Sequence, residues 1–303
     1  MITLLSTWTF GLALALVALG VFVSYRLFSF PDITTDGSFA LGAVVTAVLL
    51  TAGVDPLLAT LGGMAAGGLA GCTTALLHAS LGIERLLAGI LVTTALASVN
   101  LVVLGRSNVP LSTTHTLLDR AEATLAPPLE QAGLSAAVAG EAAQLIFMSA
   151  IVAVVIVALW AFFRTQLGTA MRAGGDTATM ARALGRDTAG MTLAGLSIAN
   201  SLTALSGGLV AQYQGFADVQ MGIGMVVWGM ASVFLGAALV GPVRLGGALV
   251  AAAAGSVTFR LLVAAALRAG LDPDWLKAAT AAVVLAALVA PWFLSRGNHA
   301  RTH

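Results

Sequence analysis

Long apolar runs separated by short polar intervals make up most of this chain of 303 residues. Because an α-helix rises about 1.5 Å per residue, about 20 apolar residues are needed to cross the roughly 30 Å hydrocarbon core of a bilayer. We expect nine crossings, at residues 4–28, 38–52, 57–81, 86–104, 142–163, 191–212, 223–240, 245–267 and 276–294. The pattern therefore predicts an all-α fold, a polytopic transmembrane helical bundle that forms a single domain over residues 1–303.

The composition agrees with a membrane protein and excludes a soluble domain. Hydrophobic residues make up 59% of the chain and charged residues 9%, whereas soluble domains carry about 25% charged residues. The net charge of +1 gives no basic face for nucleic acid. The first apolar run has no basic residue before Arg26, which predicts a retained first helix rather than a cleaved signal peptide.

The distribution of basic residues predicts the orientation in the membrane. Cytoplasmic loops retain arginine and lysine, so we place the arginine-rich interval 164–187 in the cytoplasm. The inner side then holds nine basic residues and the outer side four: Arg26, Arg85, Arg164, Arg172, Arg182, Arg186, Arg244, Arg296 and Arg301 against Arg106, Arg120, Arg268 and Lys277. This puts the N-terminus outside and the C-terminus in the cytoplasm. The polar interval 105–140 becomes an outer loop, of a length that signals function or disorder, and it could receive a soluble partner.

The cytoplasmic interval 164–187 carries the pattern of a short helix. Asp176 or Thr177 can cap it, Met180 and Leu184 lie four apart on one face, and Gly185 can close it. Such a helix, flanked by basic residues, suits docking into a groove on another subunit. An ordinary basic loop is the alternative. The chain has no phosphate-binding loop motif, since Lys277 is its single lysine, so we expect no ATP site of that type in it.

Two segments are too short or too rich in glycine to be plain helices. Residues 38–52 would rise only about 22 Å, so we expect residues 30–37 to continue them in a broken, non-helical form. Residues 216–224 precede the seventh apolar run in a similar way. Both begin with Phe-x-Asp and contain a glycine, and the predicted topology sends the two following helices in opposite directions. Paired interruptions of this kind indicate an inverted repeat with a pathway at its interface.

The polar residues of these segments are candidates for the lining of that pathway. The candidate set is Phe30, Asp32, Asp36, Gly37, Gln212, Gln214, Phe216, Asp218 and Gly222. A second interpretation makes the aspartates helix caps, with Asp36 capping the second helix and Asp218 the seventh. Asn200, Gln212 and Gln214 could also join helices by hydrogen bonds. Arg260, inside the eighth run, needs a partner, a water cavity or snorkelling, and a structural pairing is the interpretation we favour.

Four stretches resemble bacterial ABC importer permeases of the branched-chain amino-acid and ribose type. They read FPDITTDGSFALGA, ERLLAGILVTTAL, GTAMRAGGDTATMARALGRD and ANSLTALSGGLVAQYQGFADVQMGIGMVVWGMASV. The similarity is greatest to a subgroup paired with binding proteins of the tryptophan/tyrosine type.

The resemblance implies a permease of the bacterial inner membrane that imports a small organic solute such as an amino acid. It implies a second permease copy, two ABC ATPase subunits and a periplasmic or lipoprotein binding protein as partners. ATP and Mg²⁺ would be bound by the ATPase, with no cofactor or metal in this subunit. Coupling to the ATPase would fall on Arg172, Asp176, Met180, Arg182, Leu184 and Gly185.

Two other classes remain open at this stage. In an ion-coupled secondary transporter, Asp32, Asp36 or Asp218 would bind the driving ion, and the interval 164–187 would only join helices. An intramembrane hydrolase is poorly supported, because the sequence offers no set of nucleophile, base or metal ligands. We therefore expect no catalytic residue.

Overall fold

A computed structural model describes residues 2–176, 187–241 and 243–270, together with residues 278, 281, 282 and 285. The first half contains α1 (Ile2–Val21), which continues as a π-helical turn (Phe22–Leu27), then α2 (Thr34–Thr51), α3 (Pro56–Leu81), α4 (Arg85–Leu104) and β1 (Asn108–Pro110). The second half contains α5 (Leu117–Gln131), α6 (Ala136–Arg164), α7 (Gln166–Asp176), α8 (Thr188–Gln214), β2 (Phe216–Asp218), α9 (Met225–Val240) and α10 (Leu245–Arg268).

Seven helices in the described part of the chain are long and apolar enough to cross a membrane. They are α1 with its π-helical turn, α2, α3, α4, α6, α8 and α10. The seventh predicted crossing corresponds to α9, a shorter apolar helix of 16 residues. The ninth predicted crossing, 276–294, lies almost entirely outside the described residues.

The distribution of polarity is that of a protein in lipid rather than in water. Large apolar side chains point outward, with Val102 81% exposed and Leu69 and Val154 also exposed. The buried positions between helices are instead rich in small and hydroxyl-bearing residues, the composition that lets helices approach and hydrogen-bond inside a bilayer. The chain is a multi-pass membrane protein.

Helices α2 and α8 run side by side in the same direction through the centre of the bundle. Their backbones come so close that a Cβ atom added at Gly42 would overlap the carbonyl group of Ala204. Helix α3 packs against both, and α1 lies antiparallel to α8, where the Ser206 hydroxyl donates to the carbonyl oxygen of Ala13 at 2.7 Å. This central packing positions the two irregular segments described below.

The predicted starts differ from the observed ones by four residues or more at two helices. Helix α2 begins at Thr34 rather than at residue 38, so Asp36 and Gly37 lie in its first turn and the irregular segment is 28–33. Helix α6 begins at Ala136 rather than at residue 142, because its first turns contain alanine, glycine and a glutamate that a hydropathy pattern does not count as membrane-spanning.

The interval 105–140, predicted as a long outer loop, is largely ordered. It contains β1, which pairs antiparallel with β2, and the amphipathic helix α5. A capping box fixes the start of α5: the amide of Asp119 donates to the Thr116 hydroxyl at 3.1 Å, and the amide of Thr116 donates to the Asp119 carboxylate at 2.8 Å. Helix α5 buries Leu118 and packs against α6.

Candidate functional site

The irregular segment before α9 meets the first turn of α2 at the side chain of Asp36. This residue lies in the first turn of α2, and its carboxylate accepts hydrogen bonds from the amides of Gly224 at 3.0 Å and Val226 at 2.8 Å. Gly224 is the N-cap of α9 and has no side chain to cap it. Asp36 therefore caps α9, a helix almost 190 positions later in the chain, and the prediction that it caps its own helix is wrong.

This contact brings the N-termini of α2 and α9 to one carboxylate inside the bundle. Helix N-termini carry a partial positive charge, so a carboxylate between two of them is stabilised by both. Ser38, in the same turn as Asp36, bonds Asn200 near the middle of α8. Helix α9 thus begins at the level of the middle of α8, and residues 215–224 run from the end of α8 down to that level.

Gly222 lets this segment lie directly against α2. A Cβ atom at this position would overlap the carbonyl oxygen of Asp36. Because that oxygen belongs to a helical backbone, it cannot rotate away as a side chain could. The glycine that the sequence analysis selected is therefore required by a close approach of two backbones.

Asp32 belongs to a buried network that joins α2 to α8. Its side chain accepts from the amide of Thr34 at 2.9 Å and from the amide nitrogen of Asn200 at 2.6 Å. Asn200 in turn accepts from the Ser38 hydroxyl at 2.7 Å. Asp32 is 4% exposed, and its bond to the amide of Thr34 stabilises the start of α2.

Two more candidates pack beside this network. Gly37 lies against Leu96 of α4. Phe30 is buried against His78, with ring centroids 5.5 Å apart, and the Arg85 guanidinium lies 5.8 Å from its ring. Neither lines the two cavities described below.

Gln212 and Gln214 have different roles although they are two residues apart on α8. Gln212 is buried; its amide nitrogen donates to the Thr60 hydroxyl at 2.8 Å, and its oxygen accepts from the amide of Leu117 at 2.9 Å. It thus joins α3 and α5 to α8, the bridging role that the sequence suggested. Gln214 is exposed and its side chain makes no hydrogen bond within the described part of the chain.

Gln214, Phe216 and Asp218 line a cavity of about 350 Å³ at the end of α8 that faces β2. The cavity is also lined by Phe10, Phe39, Val210, Gln220, Met221 and Met225. Asp218 accepts from the amide of Gln220 at 2.7 Å, which closes a turn after β2. The prediction that Asp218 caps the following helix is therefore wrong, because Asp36 holds that position.

The sequence analysis missed the other residues of this cavity. Phe10 and Phe39 lie inside uniformly apolar runs, where no feature distinguishes a cavity wall from the helix core. Met221 and Met225 lie within and just after the irregular segment, so its position was the one available signal. Phe10 also provides the structural pairing that the sequence analysis favoured for Arg260, whose guanidinium lies 4.4 Å from the centroid of the Phe10 ring.

A second cavity, of about 670 Å³, lies at the opposite end of the bundle. Its lining includes Arg26 of the π-helical turn and Arg172 of α7, both exposed. Arg172 was predicted to flank a short docking helix. The core of that predicted helix, Met180, Arg182, Leu184 and Gly185, lies outside the described residues; Asp176 is the last residue of α7, a helix that the sequence analysis did not predict.

Comparison with solved structures shows a similar fold. The chain is similar to the structure of PsaBC from Streptococcus pneumoniae in complex with a Fab, with a TM-score of 0.53 over 93% of this chain and 89% of that chain. The sequence identity is 12%, so this likeness concerns the fold alone.

Comparison with known sequences covers nearly the whole chain. It is 35% identical over 295 residues to the tyrosine transport system permease protein of Clostridioides difficile (strain R20291), covering 97% of this chain and 91% of that protein. It is 32% identical over 220 residues to an uncharacterized protein of Rickettsia prowazekii (strain Madrid E), covering 72% of this chain and 71% of that protein. The family model for the permease component of the branched-chain amino acid transport system matches residues 3–290. With that match over nearly its full length, the chain belongs to this family of ABC transport permeases.

Proposed function

We propose that this protein is the membrane-spanning subunit of an ABC importer that moves an amino acid or a similar small solute into the cytoplasm. The observation that carries the proposal is the 35% identity, over 97% of the chain, to a permease of a tyrosine transport system. The subunit itself performs no covalent chemistry in this proposal. ATP and Mg²⁺ are bound by partner ATPase subunits.

The proposed mechanism is alternating access around the junction of α2 and α9. The start of α9 is fixed to α2 by the two hydrogen bonds of Asp36 and by the close approach of Gly222. The irregular segment before α9 is thereby tied to α2, the helix that follows the other irregular segment, so a rotation of one half of the bundle is transmitted to the other half. Irregular backbone inside a membrane protein is tolerated where protein or a water-filled cavity surrounds it, which suits a pathway at this junction.

The partners follow from the family and from the proposed orientation in the bacterial inner membrane. A solute-binding protein would dock on the outer side, near α5 and the β1–β2 pair. The ATPase subunits would engage the cytoplasmic interval 164–187, where Met180 and Leu184 supply the apolar contact. A second copy of the permease would complete a homodimer.

Uptake by reconstituted vesicles tests the proposal. The permease, its neighbouring ATPase and the binding protein are incorporated together, and labelled tyrosine, tryptophan or leucine is added outside. We expect uptake that requires ATP inside the vesicle and stops when the ATPase is left out. Uptake that follows a proton or sodium gradient without the ATPase would overturn the proposal in favour of an ion-coupled secondary transporter.

A further inference from the structure

We propose that the 350 Å³ cavity at the end of α8 is a binding site for an aromatic α-amino acid within the permease itself. The inference rests on the proposed function, because it treats the cavity as part of the solute's route. It adds a specificity-determining site to a subunit whose selectivity would otherwise be assigned to the external binding protein.

The wall of the cavity is suited to a ring. The accessible rings are those of Phe10 and Phe216, which line it together with Met221 and Met225, while Phe39 lines it without exposed surface. Aromatic rings interact favourably with other rings in edge-to-face or offset geometry, and methionine sulfur interacts favourably with ring edges. An aliphatic side chain gains only its buried area from the same wall, so the lining favours an aromatic solute over a branched aliphatic one.

The wall is also held in place before a solute arrives. Phe39 is fully buried. Phe10 is held by the Arg260 guanidinium at 4.4 Å and by the ring of Tyr213 at 6.1 Å between centroids. Side chains that are already fixed lose little conformational freedom on binding. Phe216 is 37% exposed and forms the accessible side.

The lining of the cavity also carries groups that would recognise the α-amino and α-carboxylate groups. The Asp218 carboxylate accepts from the Gln220 amide at 2.7 Å and from the Asn108 side chain at 3.4 Å. In the described residues the only ion pair is that of Asp55 with Arg120, so Asp218 has no cationic partner there and retains lone pairs for an ammonium group. The exposed amides of Gln214 and Gln220 can donate to a carboxylate.

The size of the cavity sets the class of solute. Small-molecule sites range from about 300 to 1,000 Å³, and this cavity lies near the lower limit. It therefore accommodates one amino acid with a single ring better than a peptide or a nucleotide. A wall with aromatic rings, together with one carboxylate and two amides in the lining, suits an aromatic amino acid in its zwitterionic form.

Binding of labelled tyrosine to the purified permease in lipid nanodiscs, without the binding protein or the ATPase, tests the site. We expect saturable binding that unlabelled phenylalanine displaces at a concentration at least tenfold lower than leucine or glutamate. Asp218→Asn keeps the acceptor for the turn but removes the charge, and should weaken tyrosine binding at least tenfold. Glu84→Gln, which removes an exposed carboxylate elsewhere, is the matched control and should leave binding unchanged.

The ring contribution is tested with Phe216→Leu against Phe147→Leu, a control on α6 away from the cavity. Only the former should reduce the preference for phenylalanine over leucine. Absence of saturable binding, equal displacement by leucine, or equal binding by the Asp218→Asn and Glu84→Gln proteins would overturn the site.

The uptake assay separates failure of the site from failure of the proposed function. ATP-dependent tyrosine uptake by the complete assembly, together with no binding to the permease alone, overturns the site and leaves the function standing. Saturable binding without any ATP-dependent uptake supports the site and overturns the function.

Discussion

Replacing Asp36 by alanine should destabilise the bundle more than the loss of an ordinary helix cap. A cap at an exposed helix end contributes about 1 kcal/mol. Asp36 instead holds two amides of a distant helix, and that of Val226 is partly buried. A buried amide left without an acceptor costs about 1–3 kcal/mol, so with about 1 kcal/mol for the Gly224 amide we expect a loss of about 2–4 kcal/mol.

The measurement is the free energy of unfolding in mixed micelles titrated with a denaturing detergent. Asp187→Ala is the matched control, because that carboxylate also accepts two amides, those of Ala189 and Gly190, but within its own helix start and at an exposed position. It should cost about 1 kcal/mol. Asp36→Asn keeps one acceptor and loses the charge, so it should fall between wild type and Asp36→Ala. Equal losses for Asp36→Ala and Asp187→Ala would refute the role of Asp36 in joining α2 to α9.

Three further predictions concern other parts of the chain. Gly222→Ala should abolish uptake, because its Cβ atom would overlap the backbone carbonyl of Asp36. The Cβ atom of the control, Gly62→Ala, would meet only the end of a leucine side chain, so this protein should transport normally. Uptake by vesicles that contain equal amounts of each protein compares the two. Arg120 donates a hydrogen bond to Asp55 and forms an ion pair with it, and both interactions lower the pKa of Asp55 below its ordinary value of 3.8. The stability that this pair contributes is therefore present above pH 3.8 and is lost as the pH falls through the lowered pKa. The carboxyl carbon shift of Asp55 should therefore titrate below pH 3.8, and a midpoint at or above that value would contradict the pairing. Leu184→Asp should leave membrane insertion of the permease intact but uncouple ATP hydrolysis from uptake in the complete assembly. An unchanged ratio of solute taken up to ATP hydrolysed would count against docking of the ATPase at this residue.

The sequence predicted the irregular segment before α9 better than it predicted the start of α2. The first shows as a local pattern in the sequence, whereas the second depends on contacts with residues distant in the chain. Residues 216–224 were identified as irregular, since glycines and an aspartate interrupt an apolar run, and the helix after them does begin at Met225. The start of α2 was placed four residues too late, because Thr34 to Gly37 read as polar although their hydroxyl and carboxylate groups are satisfied inside the bundle. The polarity of a residue in the sequence does not reveal whether its side chain has a hydrogen-bond partner inside the bundle.

The role of each aspartate could not be read from its position in the chain. Asp36 and Asp218 both precede apolar runs and so both resemble local caps. In the structure Asp36 caps α9 across the bundle, while Asp218 closes a turn at the rim of a cavity. The cap of a helix is chosen by whichever carboxylate tertiary packing brings to its free amides, and that carboxylate need not come from the same segment.

The sequence by itself determined that this chain is a helical membrane protein, because the bilayer requires long apolar segments and satisfied backbone groups whatever the fold. It also identified the family through motifs that extend along most of the chain. Only the tertiary structure decided which polar groups meet, that Asp36 ties α2 to α9, and that Phe10 and Phe39 lie beside Asp218 in one cavity. These contacts join residues far apart in the chain, and the apolar runs that carry them have no local feature that specifies a partner.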